Sequence, residues 1–244
     1  MKNALIIFTR VPLPGKTKTR LMTHFTGEEC AAIHICFLKD IYEMVQGLDA
    51  EIFVYYTPGS HRDNIKGILR GCKNFYSQRG QDLGERMYEA IDDCIQKGYE
   101  KTLLIGTDLP TLPAHIIKEA YEKLENHDVV LGPTLDGGYY LIGMKAAHQE
   151  IFKNNFYGLP SVFERTLANI HQLELKVAIV EKWYDVDTFE DLKHVINEIE
   201  SKGMTAYYTG QFLFCKGLLK VNHEGEERDY GKMVEGILGK RQSP

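Results

Sequence analysis

Two hydrophobic periodicities alternate along the chain. Short, fully apolar runs, 4–8 (ALIIF) and 102–105 (TLLI), have the composition of central strands buried on both faces of a sheet. Residues 27–46 carry Ala31, Ile35, Leu38, Tyr42 and Val45 at helical spacing. Residues 82–97 place Leu83, Met87, Ala90, Ile91 and Cys94 on one helical face. Further strands are predicted over 51–56, 73–78, 128–131, 139–144 and 174–181. Further helices are predicted over 60–70, 113–125, 160–171 and 188–201, and Pro113 suits the first turn of its helix. This alternation predicts an α/β fold, with a mostly parallel sheet between helices on both faces. Such sheets bind ligands beyond the carboxyl ends of their strands. That directs attention to the segments after Phe8, Gln78, Ile105, Leu131 and Val180.

Composition narrows the class. The chain has 244 residues, long enough to fold without a metal or disulfide. A hydrophobic fraction of 43% and a charged fraction of 26% exclude a disordered or fibrous chain. The net charge of −5 argues against bulk nucleic-acid binding or a polybasic membrane contact. Five cysteines without CxxC or CxxH spacing read as reduced thiols in a cytoplasm. No run is long enough for a membrane span or a signal peptide. The charge is unevenly distributed. Lys2, Arg10, Lys16, Lys18 and Arg20 give residues 1–20 a balance of +5, which leaves −10 on the remainder. A basic first segment on an acidic protein points to a small anionic ligand.

The segment Thr9-Arg10-Val11-Pro12-Leu13-Pro14-Gly15-Lys16-Thr17-Lys18-Thr19-Arg20 follows the first strand. A phosphate-binding GxxxxGK[ST] loop would need glycine at position 10, which holds Arg10. Two prolines also remove N–H donors from the loop. The P-loop reading is therefore excluded. Three cations remain at 16, 18 and 20, with hydroxyls between them, and they suit a di- or triphosphate.

The motifs VPLPGKTKTRL, Gln78-Arg79-Gly80-Gln81-Asp82-Leu83-Gly84-Glu85-Arg86, Gly106-Thr107-Asp108-Leu109-Pro110, Gly132-Pro133-Thr134-Leu135-Asp136-Gly137-Gly138-Tyr139-Tyr140 and Trp183-Tyr184-Asp185-Val186-Asp187-Thr188 occur in this order. Together they resemble a bacterial family of uncharacterised, glycosyltransferase-like GT-A proteins, the domain-of-unknown-function family 2064. That family is similar in turn to the molybdenum-cofactor and phospholactate guanylyltransferases. The resemblance spans about 3–200 and implies a Rossmann-like three-layer α/β/α domain over 1–202. Residues 203–244 form a C-terminal extension expected to pack on the same domain. Its apolar run 211–215 and an amphipathic pattern at Tyr230, Met233, Val234, Ile237 and Leu238 fit either the domain or a partner.

The resemblance also implies roles for residues. Thr9, Arg10, Lys16, Lys18 and Arg20 would contact phosphates. Asp108, ending the TLLI strand, would bind Mg²⁺ or Mn²⁺ bridging the nucleotide phosphates. The alternative for Asp108 or Thr111 is a helix cap near Pro113. Gln78, Gly80, Asp82 and Gly84 lie where a nucleotide base would sit, although Asp82-x-x-Glu85 is also a capping pattern. Asp136-Gly137-Gly138 is a hairpin turn signal that the resemblance places beside the sugar or acceptor. Asp185 and Asp187 alternate, so an extended strand would turn both to one side. Asp136 and Asp185 are the candidate catalytic carboxylates. Asp187 is a second metal ligand or, with Thr188, a helix cap. The nine histidines form no ligand cluster, and His24, His34, His61, His115 and His127 read as surface or helix-face residues.

Three functions follow. The first is a metal-dependent transferase using a nucleotide-diphospho-sugar donor and a small-molecule acceptor. The second is a nucleotidyltransferase of guanylyltransferase type that releases pyrophosphate from a nucleoside triphosphate. The third is a nucleotide-binding protein without catalysis. The motifs fix neither base, sugar, acceptor nor oligomeric state.

Overall fold

The computed structural model describes residues 2–203 and 206–219. Seven strands form one sheet: β1 (Asn3–Arg10), β2 (Glu51–Thr57), β3 (Asn74–Ser77), β4 (Lys101–Ile105), β5 (Val129–Pro133), β6 (Tyr139–Met144) and β7 (Val177–Ile179). Their order is β3-β2-β1-β4-β6-β5-β7. All pairs are parallel except those made by β6, which runs antiparallel to both β4 and β5. The α/β architecture expected from the pattern is present.

The helices are α1 (Gly27–Gln46), α2 (Arg62–Ile68), α3 (Leu83–Gln96), α4 (Ala114–Lys123), α5 (Val162–Gln172), α6 (Phe189–Lys202) and α7 (Tyr207–Cys215). Strand β1 explains the layering. Leu5 and Ile7 pack with α1, α2 and α4 on one face, while Ala4, Ile6 and Phe8 pack with α3 and α5 on the other. Successive strand side chains point to opposite faces, so a strand covered twice must be apolar throughout.

Helix α1 departs from its expected single apolar face. Residues Cys30 to Leu38 are all buried. One side of α1 meets the sheet. The other packs Cys30, Ile33, Cys36 and Phe37 against Leu192, Val195 and Ile199 of α6 and Phe212 and Leu213 of α7. A helix enclosed by sheet and helices is apolar most of the way round. Helix α7 is therefore held on α1 by apolar packing. The expected helix around Tyr230 to Leu238 lies outside the described residues.

Local chemistry sets the ends of the helices that frame the cleft. Asp82 accepts from the Glu85 amide at 2.8 Å and caps α3. Thr188 and Asp191 form a reciprocal capping box on α6. That leaves Asp187 without capping duty. Helix α4 has Pro113 at its cap position and no side-chain cap, so Asp108 is not its cap either.

Candidate active site

The carboxyl ends of β1, β2, β3 and β4 open into one cleft of about 560 Å³. Thr9 and Arg10 reach it from β1, Thr57 from β2, Gln78 from the end of β3, and Gly106, Thr107 and Asp108 from the end of β4. The segment Thr17 to Arg20 also lines it, as do Asp185 and Asp187, which flank Val186, whose amide donates to the Asp108 carbonyl at 2.8 Å at the end of β4. An adjoining cavity of about 240 Å³ is lined by Arg20, Leu135, Asp136, Tyr184, Asp185 and Asp187 among others.

Lys18 dominates the electrostatics. Its backbone is left-handed at φ 51°, and its side chain is 4% exposed. The ammonium lies 2.7 Å from Asp108 Oδ1, donates to Asp187 Oδ1 at 3.2 Å and to the Val186 carbonyl at 2.6 Å. An ammonium has three donors, and all three are used here. The ammonium expected to contact phosphate is thus engaged by the acidic wall in this structure. Arg20 reaches Asp187 at 3.4 Å with its own side chain 73% exposed, so that pair is weak.

The three acids differ. Burial works to raise the pKa of Asp108, but the ammonium of Lys18, with His34 and Arg10, holds it below the ordinary carboxylate value. Asp185 is pushed up to about 8, first by burial and then by Asp108 and Asp187, with Lys18 opposing. Asp185 is thus the member of the cluster whose protonated form burial and its acidic neighbours favour.

His34 was not foreseen as a site residue. It lies on α1 beneath the cleft, 4% exposed, with Nε2 3.3 Å from Thr9 Oγ1 and 3.4 Å from Thr107 Oγ1. The two threonine hydroxyls are 3.2 Å apart. Burial lowers its pKa to about 4, so the ring is neutral at pH 7. Arg86 was also missed as a site residue. It lines the cleft from α3 and donates to the Gly80 carbonyl at 3.1 Å. Its place inside the Gln78–Arg86 motif was the available signal. Nothing in the spacing of His34 marked it.

The remaining expected residues divide. Thr9, Arg10, Lys18, Arg20, Gln78, Asp108, Asp185 and Asp187 line the cleft together. Gln78 ties strand ends, donating from Nε2 to the Thr9 and Tyr55 carbonyls at 2.9 and 3.1 Å. Lys16 is exposed in the turn that follows Leu13 and does not line the cleft. Gly80, at φ 124°, shapes the turn before α3. Gly84 is the close approach of α3 to Phe152 and Tyr157. Asp82 is the α3 cap and lines a separate cavity with Phe152 and Tyr157. Asp136 accepts from Thr134 Oγ1 at 2.5 Å and from the Gly138 amide at 3.1 Å, which makes it the organiser of its turn. Gly137 has φ 91° and packs against the Pro160 carbonyl, while Gly138 supplies the amide that Asp136 holds. Neither glycine lines the cleft.

Two carboxylates, Asp108 and Asp187, converge on one cation, and their oxygen donors suit Mg²⁺ or Mn²⁺. Among the described residues, no three His, Cys, Asp or Glu side chains sit together as a ready metal cage. The pair could hold a divalent cation only with further ligands from outside these side chains.

Residues 41–159 match the family described as uncharacterized protein conserved in bacteria, DUF2064. The matched span holds Gln78, Asp108 and Asp136 but neither the basic loop nor Asp185 and Asp187. The chain is 25% identical over 186 residues to the 2-phospho-L-lactate guanylyltransferase of Methanocaldococcus jannaschii, covering 73% of this chain and 76% of that protein. The same identity extends over 223 residues with the 2-phospho-L-lactate guanylyltransferase of Methanocaldococcus sp. FS406-22, covering 89% and 88%. Among solved structures, a Desulfovibrio desulfuricans G20 protein with the provisional name nucleotide-diphospho-sugar transferase matches with TM-score 0.84 and 29% identity, over 89% of this chain and 96% of that one. CMP:2-keto-3-deoxy-manno-octonic acid synthetase matches with TM-score 0.54 and 10% identity, over 83% and 100%, a likeness of fold alone. The relatives and neighbours are transferases, and this chain has their fold. No helix among the described residues is long and apolar enough to cross a membrane.

Proposed function

We propose that this protein is a nucleotidyltransferase that takes a nucleoside triphosphate and transfers the nucleotidyl group to a small anionic acceptor. The observation that carries the reading is the cleft at the strand carboxyl ends, which Arg10, Arg20 and Arg86 line together with Asp108, Asp185 and Asp187. Similarity to phospholactate guanylyltransferases over most of the chain supports it and makes GTP the first donor to test. This reverses the order of the two leading functions drawn from the motifs.

In the reaction, an acceptor oxygen attacks the α-phosphorus, the bond to the β-phosphate oxygen breaks, and pyrophosphate leaves. Arginine side chains grip phosphate by paired hydrogen bonds, so Arg10, Arg20 and Arg86 would hold the triphosphate in line for displacement. Asp108 and Asp187 would hold Mg²⁺ or Mn²⁺, which when bound supplies charge neutralisation on the phosphates. A phosphorylated acceptor attacks as its own anion and needs no base. A hydroxyl acceptor needs one, and Asp185, the carboxyl that lines both cavities, would take that proton only after losing its own, as a cation on Asp108 and Asp187 would favour. Asp136 then serves the wall of the acceptor cavity through its turn.

Glycosyl transfer from a nucleotide-diphospho-sugar is the second reading. It is favoured by the adjoining cavity lined by Asp136, Tyr184 and Asp185, which gives a sugar room beside the phosphates. One assay separates the two. Pyrophosphate release from GTP with Mg²⁺ and 2-phospho-L-lactate, or another small phosphorylated acid, is expected. Thermal stabilisation by nucleotide-sugars alone, with no pyrophosphate released from any triphosphate, would overturn nucleotidyl transfer in favour of the second reading.

A further inference from the structure

Every donor of the buried Lys18 ammonium goes to the acidic wall or its backbone, at 2.7 Å from Asp108, 3.2 Å from Asp187 and 2.6 Å from the Val186 carbonyl. The ammonium therefore occupies the point on which the two metal-suited carboxylates converge. A divalent cation and this ammonium compete for the same oxygens. Lys18 also belongs to the loop that covers the phosphate side of the cleft.

We propose that Lys18 is the resting counter-ion of the Asp108–Asp187 pair, exchanged for a divalent cation only when nucleotide phosphates arrive to receive its ammonium. The inference rests on the nucleotide reading of the cleft. Its consequence is that metal and nucleotide bind as a coupled pair, because each relieves what the other displaces. The metal takes over two carboxylates that would otherwise repel, and the phosphates take over an ammonium that would otherwise lose its partners. Without nucleotide, the lysine keeps metal off the site. Arg20 cannot replace it in this role, since its contact with Asp187 is long and solvent-exposed and it makes none with Asp108.

The test measures Mn²⁺ binding by the loss of the free-ion EPR signal, on the full chain, with and without GTP. Wild type and Lys18→Arg, which keeps the charge, are expected to bind Mn²⁺ weakly alone. Lys18→Met is expected to bind Mn²⁺ alone about tenfold or more tightly than wild type, a coupling of ordinary size between sites. GTP should tighten Mn²⁺ binding in wild type by a similar factor and much less in Lys18→Met. Circular dichroism establishes that each variant is folded. If Lys18→Met does not fold, the GTP dependence of wild type and Lys18→Arg still decides. The inference is overturned if folded Lys18→Met binds Mn²⁺ no more tightly than wild type, or if wild type binds Mn²⁺ equally well without GTP. Either result, accompanied by GTP binding to wild type, leaves the nucleotide reading standing. Absence of GTP binding in every form overturns both.

Discussion

Asp40 ties the start of α7 to α1. It lies on α1, 6% exposed, with no salt-bridge partner within reach among the described residues. Its carboxyl accepts from the Tyr208 amide at 2.8 Å, the Thr209 amide at 2.9 Å and Thr209 Oγ1 at 2.5 Å. Those amides belong to the first turn of α7, whose own cap position holds Ala206 and offers no side-chain oxygen. Asp40 therefore performs in trans the capping that Ser, Thr or Asp usually performs in sequence. Asp40→Ala removes the acceptor and leaves two N–H groups and a hydroxyl at a packed interface. A lost cap costs about 0.5–2 kcal/mol and a buried unsatisfied donor about 1–3, so the total should be about 2–4 kcal/mol. For a chain of this size that lowers Tm by roughly 5–12 °C.

The pH dependence sharpens this test. Burial pushes the Asp40 carboxyl up to about 7, against the pull of the three hydrogen bonds, from an ordinary value of 3.8. The folded state then holds a proton that the unfolded state has released. Stability from this group is full below the unfolded value and is lost as pH rises toward 7. Asp40→Asn does not titrate, so the gap between wild type and Asp40→Asn should narrow between pH 5 and pH 8.5. Two pH units of differential protonation amount to about 2–3 kcal/mol. Urea unfolding of both proteins at the two pH values measures the gap. A gap that widens with pH would mean the three donors keep the carboxylate ionised in the fold, and the burial argument would be wrong.

Other outcomes are expected from the same structure. Gly143→Ala should destabilise by about 1–3 kcal/mol, because a methyl there runs into Leu103 and Val130 in the centre of the sheet, and an unchanged Tm would contradict that packing. Arg86→Ala should weaken GTP binding by calorimetry about tenfold while leaving the unliganded Tm within a few degrees, since one charge-assisted phosphate contact contributes about 1.5–3 kcal/mol. With a thiol reagent on native protein, Cys215, which is exposed, should react fast. Cys30, Cys36 and Cys94 are buried and should react only on unfolding; rapid modification of more than two thiols would refute their placement.

What the chain discloses before folding depends on the kind of information involved. Strand β1 was legible because a strand covered on both faces must be apolar at every position. The adjacency of β5 and β6 was legible from the Asp136-Gly137 turn. The insertion of antiparallel β6 between β4 and β5 was not, because a doubly buried strand carries the same residues in either direction. The single apolar stripe read on α1 was incomplete, because Cys30, Ile33 and Phe37 answer to α6 and α7, elements far away in sequence. The strand-end rule found the cleft, since Thr9, Gln78 and Asp108 end their strands by topology alone. His34 was invisible for the opposite reason: its partners, Thr9 and Thr107, are 25 and 73 residues distant.

The split of charge into a basic first segment and an acidic remainder pointed to an anionic ligand, and the structure redistributes that argument. The central lysine of the basic run is not free for phosphate. It is spent on Asp108, Asp187 and Val186, so phosphate in the resting cleft must first be met by arginines. The acids are equally unequal. Lys18 favours the ionised form of Asp108, while burial and its acidic neighbours favour the protonated form of Asp185. The cleft thus carries one buried cation for three carboxyl groups. A triphosphate alone would add negative charge to a wall already short of cations, and a divalent ion alone would have to evict Lys18. On the proposed function, the two together would leave each charge with a partner, so a metal-bound nucleotide is the form of ligand that the cleft would be expected to take.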